Sequence, residues 1–267
     1  MDSLETNVDA QIRAEIERIS RDVIDWERSY DERGVIRPHW KPRHDEDGFK
    51  SEGKRLVPLD MQVYYDLQLS RGATRKETND LDWEFENPDV GITTAKPQND
   101  ERFGHFTQHY PLAKSAKILE LGMRSGGFLR YLQASGFSSV SGIDCVELNV
   151  LWCTKNGFDV QKGDVHELTS HFESNSVDAI FAYHVLEHCY DPQRVLRQCH
   201  DVLVEGGGIH IEIPVGRANL DRAHCYSFSR REIHKMLSAN GFDVLHYAHQ
   251  GRFWRSGRDR VVARNQS

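Results

Sequence analysis

An open α/β sheet, doubly wound and mostly parallel, is the fold class this sequence predicts. A C-terminal antiparallel hairpin closes it, and an N-terminal helical and loop-rich extension precedes it. Three observations carry this prediction. From Ala116 onward, short β-like runs alternate with helical ones, as in parallel βαβ units. The first run enters a glycine turn and then a helix, and acids recur at the ends of the first three runs. The last two apolar runs are separated by Ser256 and Gly257, which reads as a hairpin at the sheet edge.

At 267 residues the chain holds one full-sized α/β domain plus an extension, but is short for two independent large cores. Residues 1–107 read as the extension and 108–267 as the main domain. Within the extension, Val8, Ile12, Ile16, Ile19, Val23, Trp26 and Tyr30 recur every three or four positions and form one helical stripe. Thr6 and Asp9 fit a capping-box start, and Gly34 and Pro38 stop the helix. Such a stripe packs on its own domain or makes a subunit contact, the route to a homo-oligomer. Residues 39–107 are rich in charge, Pro and Gly, with a short helix expected over Leu56 to Leu69. Trp83, Phe85, Phe103, Phe106 and Tyr110 gather before the main domain, where they would cover a pocket or pad the sheet.

In the main domain the expected strands are Lys117 to Leu121, Ser139 to Ile143, Asp159 to Lys162, Val177 to Tyr183 and Gly208 to Ile213. Helices are expected near Phe128 to Ala134, Leu148 to Asn156, Pro192 to Val204 and Arg230 to Asn240. The hairpin takes Phe242 to His249 and Arg260 to Arg264.

Composition excludes several classes of function. No run of about 18 apolar residues appears, so no membrane span is expected. Met1 to Ala10 carry acids and lack the basic start and apolar centre of a secretory signal, which predicts a soluble, cytoplasmic protein. The five cysteines stand singly, consistent with reduced thiols. A net charge of −7 disfavours a nucleic acid partner, which would call for a basic surplus.

The segment Ile118-Leu119-Glu120-Leu121-Gly122-Met123-Arg124-Ser125-Gly126-Gly127-Phe128 is strand, tight turn, then helix. Gly122 and Gly126 have a physical use there, because a side chain at either would hold a ligand off the backbone and hinder positive φ. Glu120 adds a carboxylate able to attract a cationic amino group. Eighteen residues past Gly126 comes Asp144, whose two oxygens can accept from two ribose hydroxyls. Twenty residues further, Gly163-Asp164-Val165 ends the third strand, and an acid there can accept from an exocyclic amine.

Together with Gly142-Ile143-Asp144, Gly163-Asp164 and Val177 to Pro192, this segment resembles the successive motifs of the class I S-adenosylmethionine-dependent methyltransferases, over about residues 116 to 250. The resemblance implies a seven-stranded, Rossmann-like methyltransferase sheet and S-adenosylmethionine as cofactor. It places Glu120 near the methionine end, Asp144 on the ribose and Asp164 on the adenine. The implied cofactor set also takes in Gly122, Arg124, Gly126, Val165 and Tyr183. Arg124 stands where the family usually has glycine, and its guanidinium can pair with the cofactor carboxylate.

His184-Val185-Leu186-Glu187-His188 formally matches the H-x-x-E-H of zinc peptidases, but His184 sits at a strand end rather than on a helix, so the match is read as accidental. His224, with Arg217, Arg222 and His184, would form a polar pocket for a hydroxylated or anionic small molecule. The expected activity is O-methylation of a small polar metabolite such as a sugar or hydroxy acid. His184 is the leading base and His224 the second. Alternatives are N- or C-methylation, or a catalytically silent binding subunit. A divalent metal is not favoured, with His184, His188, Asp191 and His224 as its ligands if one takes part.

Overall fold

The computed structural model describes residues 7–15, 49–52, 55–61, 64, 90–216, 224–252 and 256–266. Residues 7–15 are helical, and Ile12 is almost fully buried among the side chains of the main sheet's core. Asp9 adds an ion pair to Lys155 at 2.8 Å. The described part of the N-terminal stripe therefore packs on its own domain. Thr6, Ile16, Ile19, Val23, Trp26, Tyr30, Gly34 and Pro38 lie outside the described residues, as do Trp83 and Phe85.

Strands β1 (Phe49–Glu52) and β2 (Arg55–Pro58) pair as a small antiparallel ribbon. The helix expected from Leu56 is thus a strand at its start, and β2 ends at Pro58, which lacks an amide donor. Helix α1 (Val90–His109) occupies a stretch expected to be loop, and the boundary expected at residue 107 falls inside it. Pro97 lies within the helix and apolar and polar residues are poorly segregated, so the usual periodic signal is weak. Phe106, fully buried against the sheet, fixes α1 to the main domain.

The main sheet comprises β3 (Lys117–Leu121), β4 (Ser139–Asp144), β5 (Asp159–Lys162), β6 (Val177–Tyr183), β7 (Leu203–Gly216), β8 (Phe242–Arg252) and β9 (Ser256–Asn265), in the order β5-β4-β3-β6-β7-β9-β8. Pairs β3–β4, β4–β5, β3–β6 and β6–β7 are parallel, whereas β9 runs antiparallel to both β7 and β8. Strand order reverses between β3 and β6, which places a crevice at the carboxyl ends of β3, β4 and β6.

Side chains alternate between two cores, as period-2 strands buried on both faces require. Phe181 and Tyr183 point to one, with α1, α2 (Gly127–Ala134) and α3 (Glu147–Lys155). Ile180 and Ala182 point to the other, with α4 (Pro192–Val202) and α5 (Arg230–Ala239). Ser229 and Glu232 form a capping box at the start of α5.

Strand β7 starts at Leu203 rather than Gly208, and α4 stops at Val202. The Asn265 side chain donates to the carbonyls of His200, Leu203 and Val204, capping the helix end as the strand begins. Ser256 and Gly257 are not the hairpin turn: they pair with Arg252 and Gly251 inside β9. A Cβ at Gly257 would come within 2.7 Å of the Gln250 carbonyl, so this glycine serves close strand contact.

Candidate active site

A cavity of about 510 Å3 opens at the carboxyl ends of β3, β4 and β6. Of the residues singled out in the sequence, it brings together Glu120, Gly122, Arg124, Asp144, Asp164, Val165, Tyr183, His184 and His188. Gly126 sits behind this wall as the N-cap of α2. His224 is half-buried and is not part of the lining, while Arg217 and Arg222 lie outside the described residues.

The turn after β3 is left-handed at three alternate positions, with φ of 63° at Gly122, 49° at Arg124 and 74° at Gly126. A Cβ on Gly122 would meet Val185 at 2.9 Å, and one on Gly126 would meet the Cys153 sulfur at 2.9 Å. Arg124 holds a conformation that favours glycine, and two backbone contacts keep it there. Its amide donates to Oδ2 of Asp144 at 3.0 Å, and its carbonyl accepts from the Cys153 thiol at 3.3 Å.

Asp144 is buried, and burial pushes its carboxyl above the usual range against the pull of its donors. The amide of Val146 meets Oδ1 at 2.9 Å, and the Asn149 side chain meets Oδ2 at 3.1 Å. Asp164 caps the 310 turn Val165–Ser170 through the amide of His166, and its Oδ1 also meets His166 Nδ1 at 2.6 Å. His166 is buried and stacks on Tyr190 with ring centroids 3.9 Å apart.

Glu120 is pushed up to about 8 by burial, despite the opposing charge of Arg102 and a donated amide from Leu129. Its Oε2 is buried with no hydrogen-bond partner among the described residues. An orphaned carboxylate oxygen lining a cavity fits a ligand that brings a cationic donor.

At the far end, His184 has φ of 56° and is held by its amide to the Glu212 carbonyl at 2.9 Å. Its Nδ1 lies 3.1 Å from Glu187 Oε1 and its Nε2 lies 3.0 Å from Glu212 Oε1. Burial alone would depress the imidazole, but the two carboxylates outweigh it and push the ring up to about 9. At neutral pH His184 is therefore an imidazolium with no lone pair to offer. Burial opposes ionisation of Glu212 as well, yet its cationic partners hold it far below the carboxylate range. Arg102 reaches it at 2.6 Å, Arg260 at 2.5 Å and Arg258 at 3.5 Å.

Asn99, Arg102 and Tyr64 line the cavity although the sequence gave no signal for them. Asn99 and Arg102 come from α1; Asn99 donates to the Gly127 carbonyl at 3.4 Å, and the Arg102 guanidinium lies 4.5 Å from the Tyr183 ring centroid. His188 lines the cavity too, with Nε2 at 3.7 Å from Glu187 Oε1 and its ring 4.7 Å from that of His224. Both Glu187 and His188 stand in the stretch that carried the family resemblance, so a signal for them was present. No helix among the described residues is long and apolar enough to cross a membrane.

Residues 119–211 match the family described as a methyltransferase domain. No curated protein sequence matches the chain. Among solved structures, an S-adenosylmethionine-dependent methyltransferase from Archaeoglobus fulgidus aligns at 17% identity and TM-score 0.55, over 68% of this chain and 98% of that one. A chain from the complex of the Haloferax volcanii Trm112 methyltransferase activator with a methyltransferase aligns at 16% identity and TM-score 0.56, over 67% and 96%. The [4+2]-cyclase SpnF aligns at 17% identity and TM-score 0.53, over 62% and 80%. These likenesses establish a shared fold. With the glycine turn, the strand order and the matched segment, they lead to one assignment: residues 119–211 are a methyltransferase domain, set in a fold shared with S-adenosylmethionine-dependent methyltransferases.

Proposed function

We propose that the chain methylates a hydroxyl oxygen of a small polar acceptor carrying an anionic or hydroxyl-rich face. The observation that carries this reading is the cationic corner of the cavity, where Arg102 and the His184 imidazolium converge on buried Glu212. Such a corner orients an acidic or polyhydroxylated molecule by charge-assisted hydrogen bonds.

The cofactor side is assigned residue by residue. Glu120 Oε2 accepts from the cofactor's amino group, and Arg124 pairs with its carboxylate. Asp144 takes the ribose, and Asp164 with Val165 takes the adenine. Gly122, Gly126 and the Tyr183 ring shape the wall. When bound, S-adenosylmethionine supplies a methyl group on a sulfonium. The protein then contributes enclosure, alignment and removal of the acceptor's proton.

His184 was expected to take that proton. Held between two carboxylates, with both ring nitrogens engaged, it contributes fixed positive charge to that corner. We assign the base to His188, which lines the cavity beside Glu187, with His224 packed edge-on against its ring. An acceptor outside the nucleic acids remains part of this reading, on the acidic charge balance.

The test is turnover of methyl-labelled cofactor over a panel of hydroxy acids and sugars, with the product read by mass and by the position of the label. A methyl ether or ester supports the reading, and label on nitrogen or carbon overturns it. The shared fold of the [4+2]-cyclase SpnF supplies a second reading, in which the chain serves another activity on that fold. Tight cofactor binding without methyl consumption over the whole panel would favour that one.

A further inference from the structure

Three half-buried histidines converge outside the lining of the cavity. His105 and His109 are four residues apart on the last turns of α1, so both rings project from one face of the helix. His246 comes from β8, where it is directly opposite Val262 of β9, which in turn is opposite His210 of β7. These three side chains therefore share one sheet face, and α1 lies across it.

One nitrogen from each of His105, His109 and His246 lies within 4.8 Å of the others. Nε2 of His105 is 3.0 Å from Nδ1 of His246, near the roughly 3.3 Å that separates two imidazole ligands on a tetrahedral zinc with bonds of about 2.0 Å. The His109 and His246 rings are parallel, with centroids 3.8 Å apart. All three are half-buried, open enough for an ion to enter.

We propose that His105, His109 and His246 bind one zinc ion, which fastens the C-terminal end of α1 to β8. Three imidazoles suit a borderline divalent ion and not magnesium or calcium, which take oxygen ligands. Water fills the fourth position. The nearby Arg260 charge is countered by Glu101 at 3.0 Å and by Glu212.

The ring orientation is set from behind, as metal sites require. Nδ1 of His105 lies 3.1 Å from Nε2 of buried His210, whose Nδ1 lies 3.0 Å from the Tyr183 hydroxyl. Tyr183 lines the cavity, and so do Asn99 and Arg102 earlier on α1. A zinc at the end of α1 thus holds in place the helix that walls the active site. This role does not depend on which acceptor is methylated.

The full chain, stripped with chelator and dialysed, is titrated with Zn2+ by calorimetry, and cobalt is substituted to read coordination by its visible spectrum. The parent is expected to take up zinc with a Kd in the micromolar range or below. His109→Ala and His246→Ala should each lose one equivalent or weaken it at least about tenfold, while Mg2+ fails to compete. His224→Ala, at the separate Glu187, His188 and His224 group, should leave that equivalent intact. Thermal melts of the metal-free variants check that each is folded. No zinc uptake by the parent, or unchanged uptake in both folded variants, overturns the proposal.

Discussion

The backbone amide of Arg124 donates to Oδ2 of Asp144 at 3.0 Å, which ties the glycine turn to the end of β4. Because the donor is backbone, the link does not need the arginine side chain. Asp144→Ala should remove the acceptor of Arg124, Val146 and Asn149 together, costing about 2–3 kcal/mol of stability and at least about tenfold in cofactor affinity. Denaturant melts and calorimetry with S-adenosylhomocysteine measure the two effects. Arg124→Gly should preserve the fold: release from the left-handed region, worth about 1–2 kcal/mol, is partly offset by the extra freedom of unfolded glycine. If Arg124 pairs with the cofactor carboxylate, this variant loses affinity without losing stability.

Glu120 offers a pH signature. Its carboxyl is raised to about 8 from an unfolded value of 4.5, so the folded state holds a proton that the unfolded state has lost between those limits. Stability from this group is complete below 4.5 and falls as pH rises through about 8. Glu120→Gln should remove that slope and stabilise the ligand-free protein by about 3 kcal/mol at pH 7. The same variant should weaken cofactor binding and abolish its tightening as pH approaches 8. Melting curves across pH, with and without cofactor, give both readouts.

His184 has the opposite linkage. Its folded value of about 9 lies above the unfolded 6.5, so its stabilisation is fully present below 6.5 and is lost as pH rises through about 9. After allowance for solvent screening at a partly exposed ring, His184→Gln should cost on the order of 1–2 kcal/mol at pH 6, shrinking toward zero above pH 9. Difference melts against the parent check the sign. Turnover should persist in this variant if His188 is the base, and fall about a hundredfold or more in His188→Gln.

Gly126 tests how tightly the turn is built. Alanine there meets Cys153 and Phe158 at 2.9 and 3.2 Å, with φ at 74°. Gly126→Ala should cost about 1–3 kcal/mol and displace α2 from the cavity wall, which cofactor titration and chemical denaturation detect together. Cofactor affinity and stability both equal to the parent's would show that the turn has slack.

Much of the architecture was legible because its signals are local. The strand at Lys117–Leu121, the turn through Gly122 and Gly126 and the acids at Asp144 and Asp164 follow from period, turn chemistry and spacing within short windows. Helix α1 escaped notice because Pro97 and a mixed polar pattern hide its buried face, which is defined only by Phe106 meeting the sheet. The extra length of β7, β8 and β9 also depends on partners, since Gly257 becomes a strand residue only opposite Gly251 and Val215.

The sequence by itself determined the order of strands and helices from Lys117 onward, the glycine turn and the acids at the strand ends, because each rests on the chemistry of neighbours along the chain. Only the tertiary structure decided what His184 is. Its charge comes from Glu187, three residues on, and is completed by Glu212, twenty-eight residues away, which adjacent parallel strands bring within 3.0 Å. The meeting of His105 and His109 with His246 is likewise a product of sheet register and helix packing, across 141 residues between His105 and His246. Ionisation and metal affinity depend on distance through space and on desolvation, neither of which sequence separation encodes.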